Sequence, residues 1–368
     1  MIKSLLKKIS IKLINIILFP IDLINYFSLG EFDTVIIKKD NYGWALDDLA
    51  NKTGYVLNKL NKKYIFLNIQ PKKQFLYLVN QYEVLKKNFF IKNKNNILAI
   101  DYLHGIPDHL NENKILLNTI VKNQDMIKII RVTNKFFKNF LISNGIKESK
   151  IFLIPLTVYP NFKKYSINEK YLLRKKYNIL NSNFTIGYFQ KDGVGWGEGT
   201  HPKLIKGPDI FIKSIEIINK QIPNLQVILS GPSRGYVIKE LKKLNINFIY
   251  LNYIDIKKMP EIYNLLNLYL ITSRDEGGPM ALAESMSSGV PVISTKVGMS
   301  PDIIINKNNG FLTEINDYKT IASYAYEIYS NESLRNYIIN NSIKSAKTLT
   351  MDSQINNWKI FFNKYLSD

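Results

Sequence analysis

Two carboxylates separated by seven residues carry the first chemistry legible in this chain. Glu276 and Glu284 bracket Gly-Gly-Pro-Met-Ala-Leu-Ala, within the stretch SRDEGGPMALAESMSSGVPVIST over 273–295. Gly277 and Gly278 permit a tight turn. Pro279 suits the first helical position, where its absent N–H is not missed. A short helix of small and apolar residues is predicted over 280–288. Gly289 supplies a left-handed stop, and Val290-Pro291-Val292-Ile293 opens a buried strand. Glu276 then lies in a loop just before a helix, and Glu284 on that helix's second turn. The helical neighbours of Glu284 are Met280, Ala281, Ser287 and Ser288, none of them a cation. Its carboxylate therefore either faces water or is buried against hydrogen-bond donors. Sugar hydroxyls are such donors, and the free N–H groups at a helix start suit a phosphate.

The run E-G-G-P-M-A-L-A-E followed by S-G-V-P-V-I resembles the E-x7-E signature of the retaining GT-B glycosyltransferases called GT4-like, or glycosyl transferases group 1. That resemblance implies a role for each matching position. Glu276 lies by the donor sugar, the backbone of Gly277, Gly278 and Met280 contacts sugar and phosphate, and Glu284 holds the ribose. One departure is visible. Where such enzymes often carry glycine three residues after the first Glu, this chain has Pro279, which offers no amide.

The elements that must position these groups follow from the rest of the chain. Its 368 residues suit two ordinary domains, and 46% are apolar, which excludes a disordered chain. There is no cysteine, which excludes disulfides, thiol catalysis and cysteine-bound metals. The three histidines, His104, His109 and His201, are too few for a His-rich metal site. The net charge is +20, and residues 1–164 hold 26 basic against 12 acidic residues. Such an excess fits an anionic partner, although a chain this rich in Lys, Asn and Ile also fits compositional drift.

Residues 1–29 are apolar with early lysines, interrupted by Pro20, Asp22 and Asn25. They fall short of the ~20 apolar residues of a spanning helix, and no small-residue cleavage site is evident. The segment reads either as a basic amphipathic helix in a membrane interface or as a helix packed on the first domain. Strands are predicted over 32–38, 64–69, 97–103, 129–133 and 150–155, and helices over 44–60, 74–86 and 135–144. Gly43, between the first strand and helix, marks a phosphate- or substrate-binding corner, with no G-x-G-x-x-G fingerprint. Asp47 and Asp48 read as a solvated helix face. His104 follows the third strand, where open parallel sheets place ligands, though a hydrogen-bonded loop histidine is equally compatible. After a linker with a short helix over 170–177, strands are predicted over 184–189, 225–230, 248–251 and 268–272. Helices are predicted over 209–220 and 256–264, then from 318 onward. Gly231 forms the ligand-side turn after the 225–230 strand. The loop over 190–209 holds Gly193, Gly195, Gly197 and Gly199, which also suit a mobile lid. By the same resemblance, Lys191 and Lys206 are the cations of the donor diphosphate, and the backbone at Tyr253 and Ile254 reads the base.

Strand–helix alternation indicates two doubly wound parallel sheets. The resemblance implies the α/β GT-B fold, two Rossmann-like domains facing across a cleft. The expected division is a membrane-interface segment over 1–29, an acceptor-side domain over 30–165, and a nucleotide-sugar domain over 166–345. A final helix over 346–368 would cross back onto the first domain, with Trp358 as its anchor. The implied function is a retaining, metal-independent glycosyltransferase that needs no cofactor. It would act on a nucleotide sugar and a carbohydrate or lipid-linked acceptor in cell-surface polysaccharide or glycolipid synthesis. The expected location is cytoplasmic, peripheral on the cytoplasmic face of the membrane, with no nucleic-acid partner. Glu276, His104, Lys191 and Lys206 are the catalytic candidates. Two other classes fit fewer features: a GT-B nucleotide-sugar epimerase, and a non-catalytic basic protein binding membrane or nucleic acid, which would not need Glu276 or Glu284.

Overall fold

The computed structural model describes residues 30–39, 45–67, 72–107, 110–195 and 197–366. The chain divides into two compact units, one of residues 1–154 with 354–368 and the other of residues 155–353. Gly43 and the segment 1–29 lie outside the described residues.

The first unit runs β1 (Thr34–Lys38), α1 (Ala45–Lys59), β2 (Lys63–Phe66), β3 (Phe75–Leu78), α2 (Phe89–Lys92), β4 (Ile97–Tyr102), α3 (Asn111–Lys122), β5 (Ile127–Val132), α4 (Lys135–Ser143) and β6 (Ile151–Leu153). Its strands form one sheet in the order β2-β1-β3-β4-β5-β6, every pair parallel. The sequence dictates this. TVII, FLYL, ILAI and IKII are short runs without polar alternation, so they need cover on both faces, which crossover helices supply. Apart from half-buried Ile97 and Lys128 their side chains are buried, and burying each Ile, Leu or Phe is worth roughly 1.5–3 kcal/mol.

The second unit runs α5 (Ile167–Lys176), β7 (Phe184–Tyr188), α6 (Pro208–Gln221), β8 (Leu225–Leu229), α7 (Gly235–Lys243), β9 (Phe248–Tyr250), α8 (Met259–Asn264), β10 (Leu268–Ile271), α9 (Met280–Ser287), β11 (Val292–Thr295), α10 (Ser300–Ile303), β12 (Phe311–Thr313), α11 (Tyr318–Ser330) and α12 (Glu332–Ala346). Its sheet is also all parallel, in the order β12-β11-β10-β7-β8-β9. The chain winds from β7 outward to β9, then returns to the other side of β7 with β10. The order therefore reverses between β7 and β10, and the carboxyl ends of these two strands flank the crevice where such sheets bind ligands. Ile210, Phe211, Ile215 and Ile218 of α6 bury one helical face against this sheet, with Phe211 stacked on Tyr188 at 4.0 Å.

The last helix, α13 (Ile355–Asn363), belongs to the first unit. Trp358 stands edge-on to Tyr77 at 6.1 Å and over the Arg131 guanidinium at 4.8 Å. Arg131 on β5 pairs with Asp101 on β4 at 2.9 Å, and its Nε donates to the Ile154 carbonyl at 3.1 Å. The Tyr77 hydroxyl also donates to Asp101. Burial pushes the Asp101 carboxyl up, against the pull of Arg131 and of the Tyr77 bond.

Several local expectations need correction. Residues 74–86 are not one helix. Phe75–Leu78 is the buried strand β3, and only Gln81–Leu85 turns, as a 3-10 helix capped by Asn80. Four apolar residues at a sheet centre outweigh the helical spacing of the residues after them. Asp47 is buried rather than solvated, close to Lys39, whereas Asp48 pairs with Lys52 one turn on at 2.9 Å. Helices α3 and α7 were absent from the sequence expectations. Pro279 precedes α9 as its cap, with extended ψ of 110°, rather than opening the helix.

Candidate active site

The second unit gathers most of the sequence-derived candidates along the carboxyl edge of its sheet. Gln190 and Lys191 follow β7, Gly231 follows β8, Tyr253 and Ile254 follow β9, and Glu276 follows β10. The register explains the central contact. Tyr269 lies opposite Gly187, so continuing both strands by three residues sets Gln190 beside Thr272 and Ser273. Gln190 Nε2 donates to Ser273 Oγ at 2.8 Å and to Glu276 Oε1 at 3.1 Å, and Ser273 Oγ donates to the same oxygen at 2.8 Å. The Lys206 ammonium lies 2.7 Å from Glu276 Oε2. Both carboxylate oxygens are thus oriented, while Lys206 and Glu276 keep 25% and 12% of their side-chain surface.

Lys206 ends the 3-10 turn Leu204–Lys206, and Gly207 follows with φ +64°. A Cβ at Gly207 would stand 1.8 Å from the Thr272 carbonyl oxygen, so no other residue fits. Pro208 then starts α6 at its first position. Three bonds fasten this turn to its surroundings: Thr272 Oγ1 to the Gly207 carbonyl at 2.8 Å, Tyr188 hydroxyl to the Lys206 carbonyl at 3.0 Å, and Arg274 N to the Ile205 carbonyl at 2.8 Å. Arg274 also makes a two-pronged pair with Asp209 at 2.8 and 2.7 Å. Burial pushes the Asp209 carboxyl up, but the Arg274 bonds and charge outweigh it and hold the group below its usual range. The loop after β10 and the turn before α6 are therefore one rigid piece.

Two further lysines share this electrostatic neighbourhood. Lys203 is held below the ordinary lysine range by burial, then by the charges of Lys206 and Lys191, with Glu276 pulling the other way. Burial also lowers Lys191. Lys206 on Glu276, with Lys203 coupled to both and to Lys191, leaves a local positive excess that favours a dianion such as a diphosphate. The β7 loop is anchored by the buried pair Asp192–Arg234 at 3.0 Å, and burial raises the Asp192 carboxyl to about 7 against the pull of Arg234.

Glu284 lies on α9, buried, where it accepts the Tyr263 hydroxyl at 2.7 Å. The choice left open by the sequence is resolved toward burial. Gly277 is buried, Gly278 half-buried against Leu156, and Met280 opens α9. Gly231 has φ +90°, donates its N–H to the Asn252 carbonyl at 2.7 Å and accepts the Tyr250 hydroxyl at 2.9 Å. Tyr253 is exposed and Ile254 half-buried. A cavity of about 390 Å³ opens beside this corner, lined by Glu198, Ser233, Arg234, Tyr250 and Asn252 among others.

His104 belongs to the first unit, exposed after β4, with its carbonyl accepting Gln81 Nε2 at 2.5 Å and its ring 5.9 Å from Tyr82. Sequence reasoning missed Gln190, Ser273, Lys203, Tyr263 and the Arg274–Asp209 clamp. Only Lys203 carried a signal, as a lysine three residues before Lys206. Among the described residues no group of three or more His, Cys, Asp or Glu side chains could hold a metal ion.

Two parallel Rossmann-like sheets, with an acidic residue and cations at the switch point of the second, define an α/β fold of the GT-B glycosyltransferase class. Residues 203–345, which span Lys206, Glu276 and Glu284, match the family described as glycosyl transferases group 1. It is 27% identical over 230 residues to the Staphylococcus aureus capsular polysaccharide biosynthesis glycosyltransferase CapM. That match covers 60% of this chain and 56% of CapM, so just over half of the relative's length is matched. It is 23% identical over 301 residues to an uncharacterized glycosyltransferase of Methanocaldococcus jannaschii, covering 79% of this chain and 82% of the relative. Among solved structures, Anabaena HepE in complex with UDP and glucose superposes with a TM-score of 0.73 at 14% identity, covering 90% of this chain and 99% of that one.

Proposed function

We propose that the protein is a retaining, metal-independent glycosyltransferase that takes a sugar from a nucleoside-diphosphate donor held by the second unit. The observation that carries this reading is the Glu276 carboxylate, oriented by Gln190, Ser273 and Lys206 at the switch point of a parallel sheet. The difficult step is departure of the nucleoside diphosphate as positive charge grows at the anomeric carbon. Lys206, with Lys191 and Lys203 near it, would neutralise the leaving phosphate charge, assisted by the free amides at the start of α9. Three ammonium groups supply the charge that a divalent cation supplies elsewhere. Glu276 would orient the donor sugar, and Glu284, held by Tyr263, would accept from a donor hydroxyl. Attack from the face that the leaving group vacates gives retention.

The acceptor we propose is a carbohydrate or lipid-linked saccharide of a cell-surface polysaccharide, a reading supported by the capsular role of CapM. A UDP-linked donor is the first to try, given the ligands of HepE. No helix among the described residues is long and apolar enough to cross a membrane. Peripheral membrane contact through residues 1–29 remains part of this proposal.

Thermal shift with UDP, GDP, ADP and CMP, in EDTA and in Mg²⁺, tests the site. A ligand at 100 times its Kd adds about 2.7 kcal/mol, a shift of roughly 5–10 °C for units of this size. The expected result is one nucleotide stabilising the wild type equally in EDTA and Mg²⁺, with the shift lost in Lys206→Met. No response to any nucleotide would overturn the donor site, and a response confined to Mg²⁺ would overturn metal independence.

A further inference from the structure

Helix α5 breaks the ordinary division of a surface helix into an apolar inner and a polar outer face. Its inner side is conventional. Leu173 and Arg174 are buried, and Arg174 donates to the carbonyls of Leu180, Asn183 and Leu265 at 2.7, 2.7 and 3.0 Å. Asn183 and Leu265 precede β7 and β10, so the helix is fixed at the amino edge of the second sheet. A capping box of Ser166 and Glu169 fixes its start. The outer side is unusual. Ile167, Tyr171 and Leu172 are 91%, 50% and 57% exposed, and Leu180, just beyond the helix, is 67% exposed. Ile167 and Tyr171 are one turn apart on a single ridge. Tyr171, Lys175 and Leu180 together line a recess of about 390 Å³.

Charge surrounds this apolar strip. Residues 163–176 hold Lys163, Lys164, Lys170, Arg174, Lys175 and Lys176 against the single acid Glu169. Lys163, Lys164 and Lys175 are exposed, and Lys176 pairs with Glu261 at 3.0 Å. The Glu169 carboxylate is turned back onto the Ser166 amide by the capping box. Lys170 is pushed down to about 8 by burial and then by Lys164 and Arg174, which marks how closely the cations crowd. Exposed apolar side chains on a fixed helix, with exposed Lys163, Lys164 and Lys175 on the same segment, match a lipid surface, whose anionic headgroups meet the lysines while the apolar residues enter the headgroup–acyl boundary.

We infer that the outer face of α5, from Lys163 to Leu180, is a docking surface for an anionic membrane. It is independent of residues 1–29 and of the donor site, which lies at the opposite, carboxyl edge of the same sheet. Docking here would hold the second unit at the bilayer while leaving that carboxyl edge open to a nucleotide.

The test is sedimentation of the full chain with sucrose-loaded vesicles, either pure phosphatidylcholine or one-third phosphatidylglycerol. The wild type is expected to pellet with the anionic vesicles and be released by 0.5 M NaCl. Ile167→Ser/Tyr171→Ser/Leu172→Ser should lower partition at least tenfold. Lys163→Gln/Lys164→Gln/Lys175→Gln should lower it and flatten its salt dependence. Unchanged melting temperatures and an unchanged nucleotide response would show that both variants fold and that the donor site is separate. Wild-type partition in the serine variant would overturn the inference. So would concentration-dependent self-association that the serine variant abolishes, with no vesicle binding, because the face would then belong to a second copy of the chain. Failure of every nucleotide to bind would overturn the donor reading alone.

Discussion

Each unit sets a carboxylate against a cation near the carboxyl ends of its strands, and the two arrangements are built to opposite ends. Asp101–Arg131 in the first unit is sealed, with 0% and 2% exposure, and its remaining valences go to Tyr77, to the Ile154 carbonyl and to the face of Trp358. Glu276–Lys206 in the second unit is equally short but open to solvent, and it is held by side chains that are themselves clamped from behind. A sealed pair specifies how elements pack, because breaking it strands a charge in low dielectric. An open pair on a rigid frame can exchange its partner for a ligand at little cost, because nothing around it must move. Distance does not separate the two pairs, at 2.9 and 2.7 Å; exposure does.

Breaking the sealed pair should give the largest effect. Arg131→Met leaves Asp101 buried alone and should cost roughly 3–5 kcal/mol, lowering Tm by about 10 °C in calorimetry. Adding Asp101→Leu should restore much of that loss, since no uncompensated charge remains. The open pair should respond oppositely. Lys206→Met should lower turnover with a nucleotide sugar by about 10²–10³, as loss of one group stabilising developing charge does, while Tm moves by less than about 2 °C. A large fall in Tm for Lys206→Met would erase the distinction between the sealed and the open pair. Tyr263→Phe removes one hydroxyl from buried Glu284 and should cost about 1.5–3 kcal/mol in stability, read by urea denaturation. The same change should weaken nucleotide binding.

A further effect concerns pH. Asp192 has a folded pKa of about 7, above its ordinary value of 3.8, so the folded chain holds a proton that the unfolded chain has already lost. Stability from this group is therefore full in acid and declines as pH rises from about 4 to 7. The difference in Tm between wild type and Asp192→Asn should shrink or reverse across that window, and a flat difference would contradict the raised value.

How far the site was legible follows from which contacts are local. Glu276 and Glu284 are marked by their spacing and by the glycines and helix between them. Lys206 is marked by the Gly-Pro that starts α6 directly after it. Both signals lie within ten residues. The contacts of Glu276 are not local, since Gln190 is 86 residues away and is brought in only by the pairing of β7 with β10. Tyr263 reaches Glu284 across 21 residues through the packing of α8 beside α9. In the fold, short apolar runs between turns gave the parallel sheets. The segment 74–86 misled because FLYL is too short to show its period and QYEVL after it spaces its apolar residues as a helix does. Helix α7 is hard to see because it is nine residues long and buries only Val237 and Leu241, too few to set a period.

The allegiance of α13 has a consequence for biosynthesis. The first unit's sheet is complete by Ile154, but its covering helix is not translated until about 200 residues later. At about 5–20 residues per second, the emerging chain waits roughly 10–40 s with Tyr77, Arg131 and Asp101 lacking their final cover. The second unit, contiguous in sequence, can close during that interval. The half of the protein made first is thus the last to finish folding, and a nonsense codon near the 3′ end of the message would injure its N-terminal half.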